Sequence, residues 1–176
     1  MRRYILLVSL LAVFVCVKAQ NNSLDIFYQR QIELKISNGY SLINSNEEQA
    51  GIEYLIEAIA LAISRSEDKQ AALIVLNSNS FTTVVEYYYK TDNIQQAREY
   101  LDKHIRLCTR VKAISANSED QFDYIDASYS IISGLASNNK DYLSSIKYTQ
   151  LHKNYIFEKE AYSDQYFQKS TFLICD

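Results

Sequence analysis

The sequence contains no proline, no tryptophan and only three glycines in 176 residues. Without proline nothing forces a helix to stop, and so few glycines leave little to interrupt one. Cysteine is almost as scarce. Of three, Cys16 lies in the leader described below, which leaves Cys108 and Cys175. Two are too few for a disulfide scaffold; an oxidising compartment would permit a bridge between them, and the plainer expectation is one buried thiol and one near the end of the chain. There is no glycine-rich phosphate loop, no nucleophile elbow and no His-Glu-x-x-His. The two histidines, His104 and His152, lack the further ligands at metal spacing that a zinc site needs. The expectation is therefore a protein that is not an enzyme and carries no metal and no cofactor.

What is present begins with an address. Arg2 and Arg3 precede an apolar run from Tyr4 to Val17, and Val17-Lys18-Ala19 offers tolerated residues at the positions a signal peptidase reads. The run falls short of the ~20 residues that span a bilayer core. Residues 1–19 are expected to be a signal peptide cleaved after Ala19, giving an exported, periplasmic or secreted chain with no membrane association after cleavage. Cleavage removes Arg2, Arg3 and Lys18 and no acid, so 15 basic and 21 acidic residues remain. An acidic chain without a basic patch repels phosphate, which argues against a nucleic-acid partner. The rest reads as one domain, 20–172, with a tail at 173–176.

Apolar residues recur at three- and four-residue steps through most of that domain. Helices are predicted over 24–44, 47–64, 67–90, 93–115, 119–138 and 140–158, with a last amphipathic piece at 160–172. Turn residues separate them: Asn44-Ser45-Asn46, Thr91-Asp92-Asn93 and Asn138-Asn139. Ser66 is the predicted cap of the third helix, with Glu67 and Asp68 in its first turn. The third helix is the least regular. Asn77 to Ser80 interrupts it with side chains that compete for backbone hydrogen bonds, and a break there would split it. The run Phe81 to Val85 has strand propensity, but no second strand is available to pair with it.

Three stretches share one pattern: Gly51 to Ala58, Ala97 to His104 and Ser145 to His152. Each has a small residue first, a charged one third and tyrosine fourth, at spacings of 46 and 48 residues. A repeat at that interval points to stacked helical hairpins. The pattern resembles the tetratricopeptide repeat family. The family pattern places a small residue and then an aromatic one on a first helix, then a short turn, then a small residue that opens the second helix. The middle unit supplies Val85, Tyr88, Asp92-Asn93-Ile94 and Ala97. The third supplies Ser133, Ala136, Lys140-Asp141-Tyr142 and Ser145, and the first Gly39, Leu42, Asn46-Glu47-Glu48, Gly51 and Ala58. The chain departs from the family in its longer period, and in carrying His104 and His152 where a small residue is usual.

The resemblance implies an all-α fold, a right-handed solenoid of about three antiparallel helix pairs plus a C-terminal helix. It also implies a protein or peptide ligand bound on the concave face lined by the first helix of each pair. Mapped onto this chain, that face holds Glu33, Ile36, Tyr40 and Ile43; then Asn79, Thr82, Glu86, Tyr89 and Lys90; then Ala127, Ser130, Gly134, Ser137 and Asn138. Tyrosine suits recognition, because it presents a large area with a polar tip at low entropy cost. An alternative follows from the exported signalling proteins that the chain also resembles. In those, such an array precedes a membrane helix and a cytoplasmic effector domain, and this chain would be a truncated or stand-alone sensor region.

Overall fold

The computed structural model describes residues 2–65, 67–114 and 120–172, and side-chain surroundings for 23–65, 67–111 and 125–157. Among the described residues there are helices and no strand. In chain order they are α1 (Arg2–Asn44), α2 (Glu48–Ser64), α3 (Lys69–Asn77), α4 (Ser80–Lys90), α5 (Ile94–Ile114), α6 (Asp120–Asn138) and α7 (Tyr142–Phe172). The chain divides into two compact units, Met1–Ser80 with α1 to α3 and Phe81–Asp176 with α4 to α7. None of the helices is long and apolar enough, among the described residues, to cross a membrane.

In the first unit the 3.6-residue spacing puts Ile52, Leu55, Ile59 and Ala62 on one face of α2, and these four, with Ile32 and Ile36 of α1, are buried. Val75 of α3 is fully buried as well. Each fully buried leucine or isoleucine stabilises by about 1.5–3 kcal/mol. Two glycines, Gly39 and Gly51, face each other across the two helices. A Cβ at Gly51 would sit 2.5 Å from the Gly39 carbonyl oxygen, and a Cβ at Gly39 would sit 2.9 Å from the Gly51 carbonyl oxygen. Here glycine is needed for space, to let α1 and α2 touch backbone to backbone.

The link from α2 to α3 is fastened to α1 by polar contacts. Arg65 lies over the Tyr28 ring, 3.9 Å from its centroid, and bonds Asp25 at 3.2 Å. The Gln29 amide donates to both carboxylate oxygens of Asp68. Asp68, not Ser66, caps α3: its Oδ1 accepts from the backbone N–H groups of Gln70 and Ala71. Ser66 itself lies outside the described residues.

The third predicted helix is two. Asn79 adopts φ 58°, in the left-handed region, between α3 and α4. The Ser78 hydroxyl bonds the Val75 carbonyl at 2.8 Å and meets the Ser80 hydroxyl at 2.6 Å. This is the competition that the Asn/Ser run offers to a helix. At the other end the prediction errs the opposite way. The pieces expected at 140–158 and 160–172 form the single helix α7, because no glycine, proline or turn cluster separates them.

Three corners in the chain are built alike. After α1 the Glu47 N–H reaches back to the Leu42 carbonyl and the Asn46 N–H to that of Ile43. After α4 the same pair of bonds runs from Asn93 to Tyr88 and from Asp92 to Tyr89, and after α6 from Asp141 to Ala136 and from Lys140 to Ser137. This double closure is the Schellman motif, with a left-handed residue one position before the cap of the new helix. That residue is Asn46, Asp92 and Lys140, at φ 65°, 60° and 61°. Its spacing of 46 and then 48 residues is the repeat seen in the sequence. The following residue caps the next helix at two corners: the Asn93 Oδ1 accepts from the Gln96 N–H and the Asp141 Oδ1 from the Ser144 N–H.

Candidate recognition surface

The second unit rests on ring contacts between its helices. On α4 and α5, Tyr88 stacks on Tyr100 at 5.6 Å between centroids, and Phe81 on His104 at 4.9 Å. On α6 and α7, Tyr129 stacks on His152 at 5.8 Å. Phe81 to Tyr129 and His104 to His152 are each one repeat apart. The two imidazoles are thus used as flat packing pieces against an aromatic partner. Their environments then diverge. His152 meets the Asp126 carboxylate through Nε2. His104 is buried, and among the described residues no polar partner meets its ring nitrogens. Burial pulls its pKa down to about 4. Among the described residues no three His, Cys, Asp or Glu side chains converge as a metal site would require.

Two further carboxylates tie α7 to its neighbours. Asp141, at the third corner, is buried and receives the Arg98 guanidinium in two bonds, Nε at 2.8 Å and Nη2 at 2.7 Å. The Tyr89 hydroxyl adds a bond at 3.1 Å and the Ser144 N–H one at 3.3 Å. The bonds from Arg98 hold the Asp141 carboxyl well below the usual carboxylate range, against the opposing effect of burial. Burial first, and the Asp141 charge second, push the Tyr89 hydroxyl upwards. Four bonds fill the acceptor capacity of Asp141, which leaves it no lone pair for a substrate proton or a metal.

Asp102 is the second tie. Its Oδ1 accepts from the Tyr148 hydroxyl at 2.8 Å and from Lys147 at 2.6 Å. Burial alone would raise its pKa; the bonds from Lys147 and Tyr148 outweigh it and the net direction is down. Tyr148 is almost fully buried, and burial is the first cause of its own upward shift.

The residues expected on the first helices distribute as follows. Glu86, Lys90, Ser130 and Asn138 are exposed, while Tyr40, Ile43, Thr82 and Tyr89 are half-buried. On α4, Thr82, Glu86, Tyr89 and Lys90 share one helical face by their spacing. Asn79 is exposed but stands in the link before α4, where its left-handed φ makes the turn. The two tyrosines are not free-standing. Tyr40 donates its hydroxyl to the Ser78 carbonyl at 2.6 Å, closing the turn after α3 against α1, and Tyr89 serves Asp141. The bridge that an oxidising compartment would permit between Cys108 and Cys175 involves a residue, Cys175, outside the described ones. Cys108 itself is a buried free thiol, raised to about 11 mainly by burial.

Sequence reading missed the Arg98–Asp141–Tyr89 cluster, because a corner carboxylate is already explained as a cap. The available signal was register: Arg98 stands on the second helix of one repeat and Asp141 at the next corner. No family model matches the chain, and no curated protein and no solved structure matches it either.

Proposed function

We propose that the chain is an exported, tetratricopeptide-like binding module. Its hairpins follow one another as a right-handed solenoid, and it recognises a peptide or protein through the exposed faces of the first helices α1, α4 and α6. The observation that carries this reading is the triplicate corner. Three helix pairs close with the same two backbone bonds, at the interval of the sequence repeat. A stack of such pairs presents one helix of each pair as a continuous binding surface. The polar networks support the reading from the other side. They use buried charged groups such as Asp141 to clamp helices, while Glu86, Ser130 and Asn138 stand exposed on the first helices, where a ligand would meet them.

The test is quantitative capture of a partner from the exported fraction of the source cells. Because the hydroxyls of Tyr40 and Tyr89 are engaged within the fold, the informative variant is the triple change Glu86→Lys, Ser130→Arg and Asn138→Lys. At least a tenfold loss of capture is expected. The control Glu53→Lys with Arg106→Glu, exposed on the second helices α2 and α5, keeps it. Undiminished capture by the triple variant would sink the assignment of the face.

A further inference from the structure

The outer face of α7 is apolar and open. Tyr142 is 63% exposed, Leu143 74%, Ile146 65% and Phe157 69%. With 3.6 residues per turn, Tyr142, Ile146, Gln150, Lys153 and Phe157 form one stripe with Leu143 beside it. The buried residues Ser144, Tyr148 and Tyr155 lie on the opposite side. The repeat register gives this face a meaning. One repeat earlier, Ile94, Arg98 and Asp102 occupy the positions of Tyr142, Ile146 and Gln150. That side of α5 is the one engaged by α7, through Arg98 with Asp141 and Asp102 with Tyr148. The corresponding side of α7 is thus the side on which a neighbouring helix belongs. It lacks the arginine and aspartate that answer a further repeat of the same kind, and has isoleucine and glutamine instead.

We infer that the partner is a second copy of this chain, joined through α7 against α7 in antiparallel, two-fold fashion. The residue order is self-complementary. An antiparallel pair centred between Thr149 and Gln150 sets Tyr142 opposite the second copy's Phe157, Leu143 opposite its Ile156 and Ile146 opposite its Lys153. Thr149 and Gln150, both exposed, face each other across the axis. Apolar groups meet apolar groups at both ends, and a neutral hydroxyl and a neutral amide can bond each other at the centre. The single charge on the stripe, Lys153, lays its aliphatic stem on isoleucine while its ammonium reaches water. Among the residues of the stripe whose side chains are described, 142–157, no like charges are brought together, which an isologous contact requires because the same patch serves both copies. The area is sufficient. At about 150–250 Å² for an aromatic side chain and somewhat less for leucine and isoleucine, the four exposed side chains offer on the order of 500 Å² per copy. Two copies reach the ~1,000 Å² from which specific interfaces begin.

The measurement is sedimentation equilibrium of the full chain across micromolar concentrations. The expected result is a reversible shift from the 20.4 kDa monomer to twice that mass. Leu143→Glu with Ile146→Glu weakens association at least tenfold, and the unchanged helical circular dichroism shows that these exposed positions do not disturb the fold. A second reading fixes the geometry. With Cys16 and Cys175 replaced by serine, Gln150→Cys forms a self-disulfide beside the axis and Ser137→Cys on α6 does not. A monomer at all concentrations overturns the inference. So does a dimer indifferent to the double glutamate variant, or a face that captures a different protein while the chain itself stays monomeric.

Discussion

Gly51→Ala is expected to destabilise the protein by about 1–2 kcal/mol, although alanine is the better helix former by about 1 kcal/mol. The added methyl would lie 2.5 Å from the Gly39 carbonyl oxygen, 2.6 Å from Ile43 Cγ1 and 3.0 Å from the Ile43 backbone nitrogen. Two of these atoms are backbone and cannot rotate away, so α1 and α2 must separate. Separation loosens the packing of Leu55, Ile52 and Ile59, and overpacking of this kind costs about 1–3 kcal/mol. The same substitution at Gly134 is the control. That glycine lies inside α6 with nothing within 4 Å of where a Cβ would stand, so alanine there stabilises by up to about 1 kcal/mol. Urea unfolding of the two variants checks the pair: one chemical change, opposite signs. Equal effects at both positions would mean that the α1–α2 contact is not as close as described.

Acid is expected to weaken the fold in two steps. His104 has an ordinary value of 6.5 and, when folded, about 4 because burial disfavours the charged ring. Between those values the unfolded chain takes up a proton that the folded chain refuses. Stability is therefore complete above pH 6.5 and falls as the pH drops towards 4, by up to about 3 kcal/mol at 1.36 kcal/mol per pKa unit. Asp141 acts lower. Its folded value is depressed by Arg98, so its contribution is present above its ordinary 3.8 and is lost as the pH falls below that. Unfolding free energies measured from pH 7 to pH 3 should show the first loss in the wild type. His104→Leu keeps an apolar side chain against Phe81, flattens the limb between 6.5 and 4 and leaves the lower limb in place. A wild-type curve that is level across the upper limb would contradict the burial of His104.

Much of this fold is legible in the sequence because its signals are local. The turn residues Asn46 and Asp92 mark corners because short polar side chains tolerate a left-handed backbone. The apolar spacing of Ile52, Leu55 and Ile59 reads as a helix face because every member of it is buried. The Asn77 to Ser80 interruption is visible for the same reason, although not decisive, since a polar cluster can also point outwards from a continuous helix. The continuity of α7 is harder to see. The apolar pattern changes near residue 159, which suggests an end, yet no breaker stands there to make one. Lys140 gives no turn signal of its own; Asn138-Asn139 marks the corner, and register with Asn46 and Asp92 picks out Lys140 as its left-handed residue.

The candidate surface is less legible because its evidence is long-range. Tyr40 and Tyr89 look like recognition residues by type and position, but the partners that engage their hydroxyls, Ser78 and Asp141, lie 38 and 52 residues further along the chain. The repeated tyrosine is likewise one letter with more than one environment: Tyr148 and Tyr100 are buried, whereas Tyr54 is 38% exposed. Composition identifies what such side chains are able to do, and the fold decides whether they are still available to do it.

Glycine substitution tests the likeness of the three corners most directly. Asn46→Gly, Asp92→Gly and Lys140→Gly each place glycine where the backbone is left-handed, a conformation that costs an ordinary L-residue roughly 1–2 kcal/mol. Part of the gain is offset by the greater freedom of glycine in the unfolded chain, about 0.4–1 kcal/mol. Equilibrium unfolding should therefore show a gain at every corner, of about 0.5–1 kcal/mol at Lys140 and less at Asn46 and Asp92, whose side chains already tolerate the turn. A loss of about 1 kcal/mol at all three, the cost of glycine inside a regular helix, would contradict the repeat.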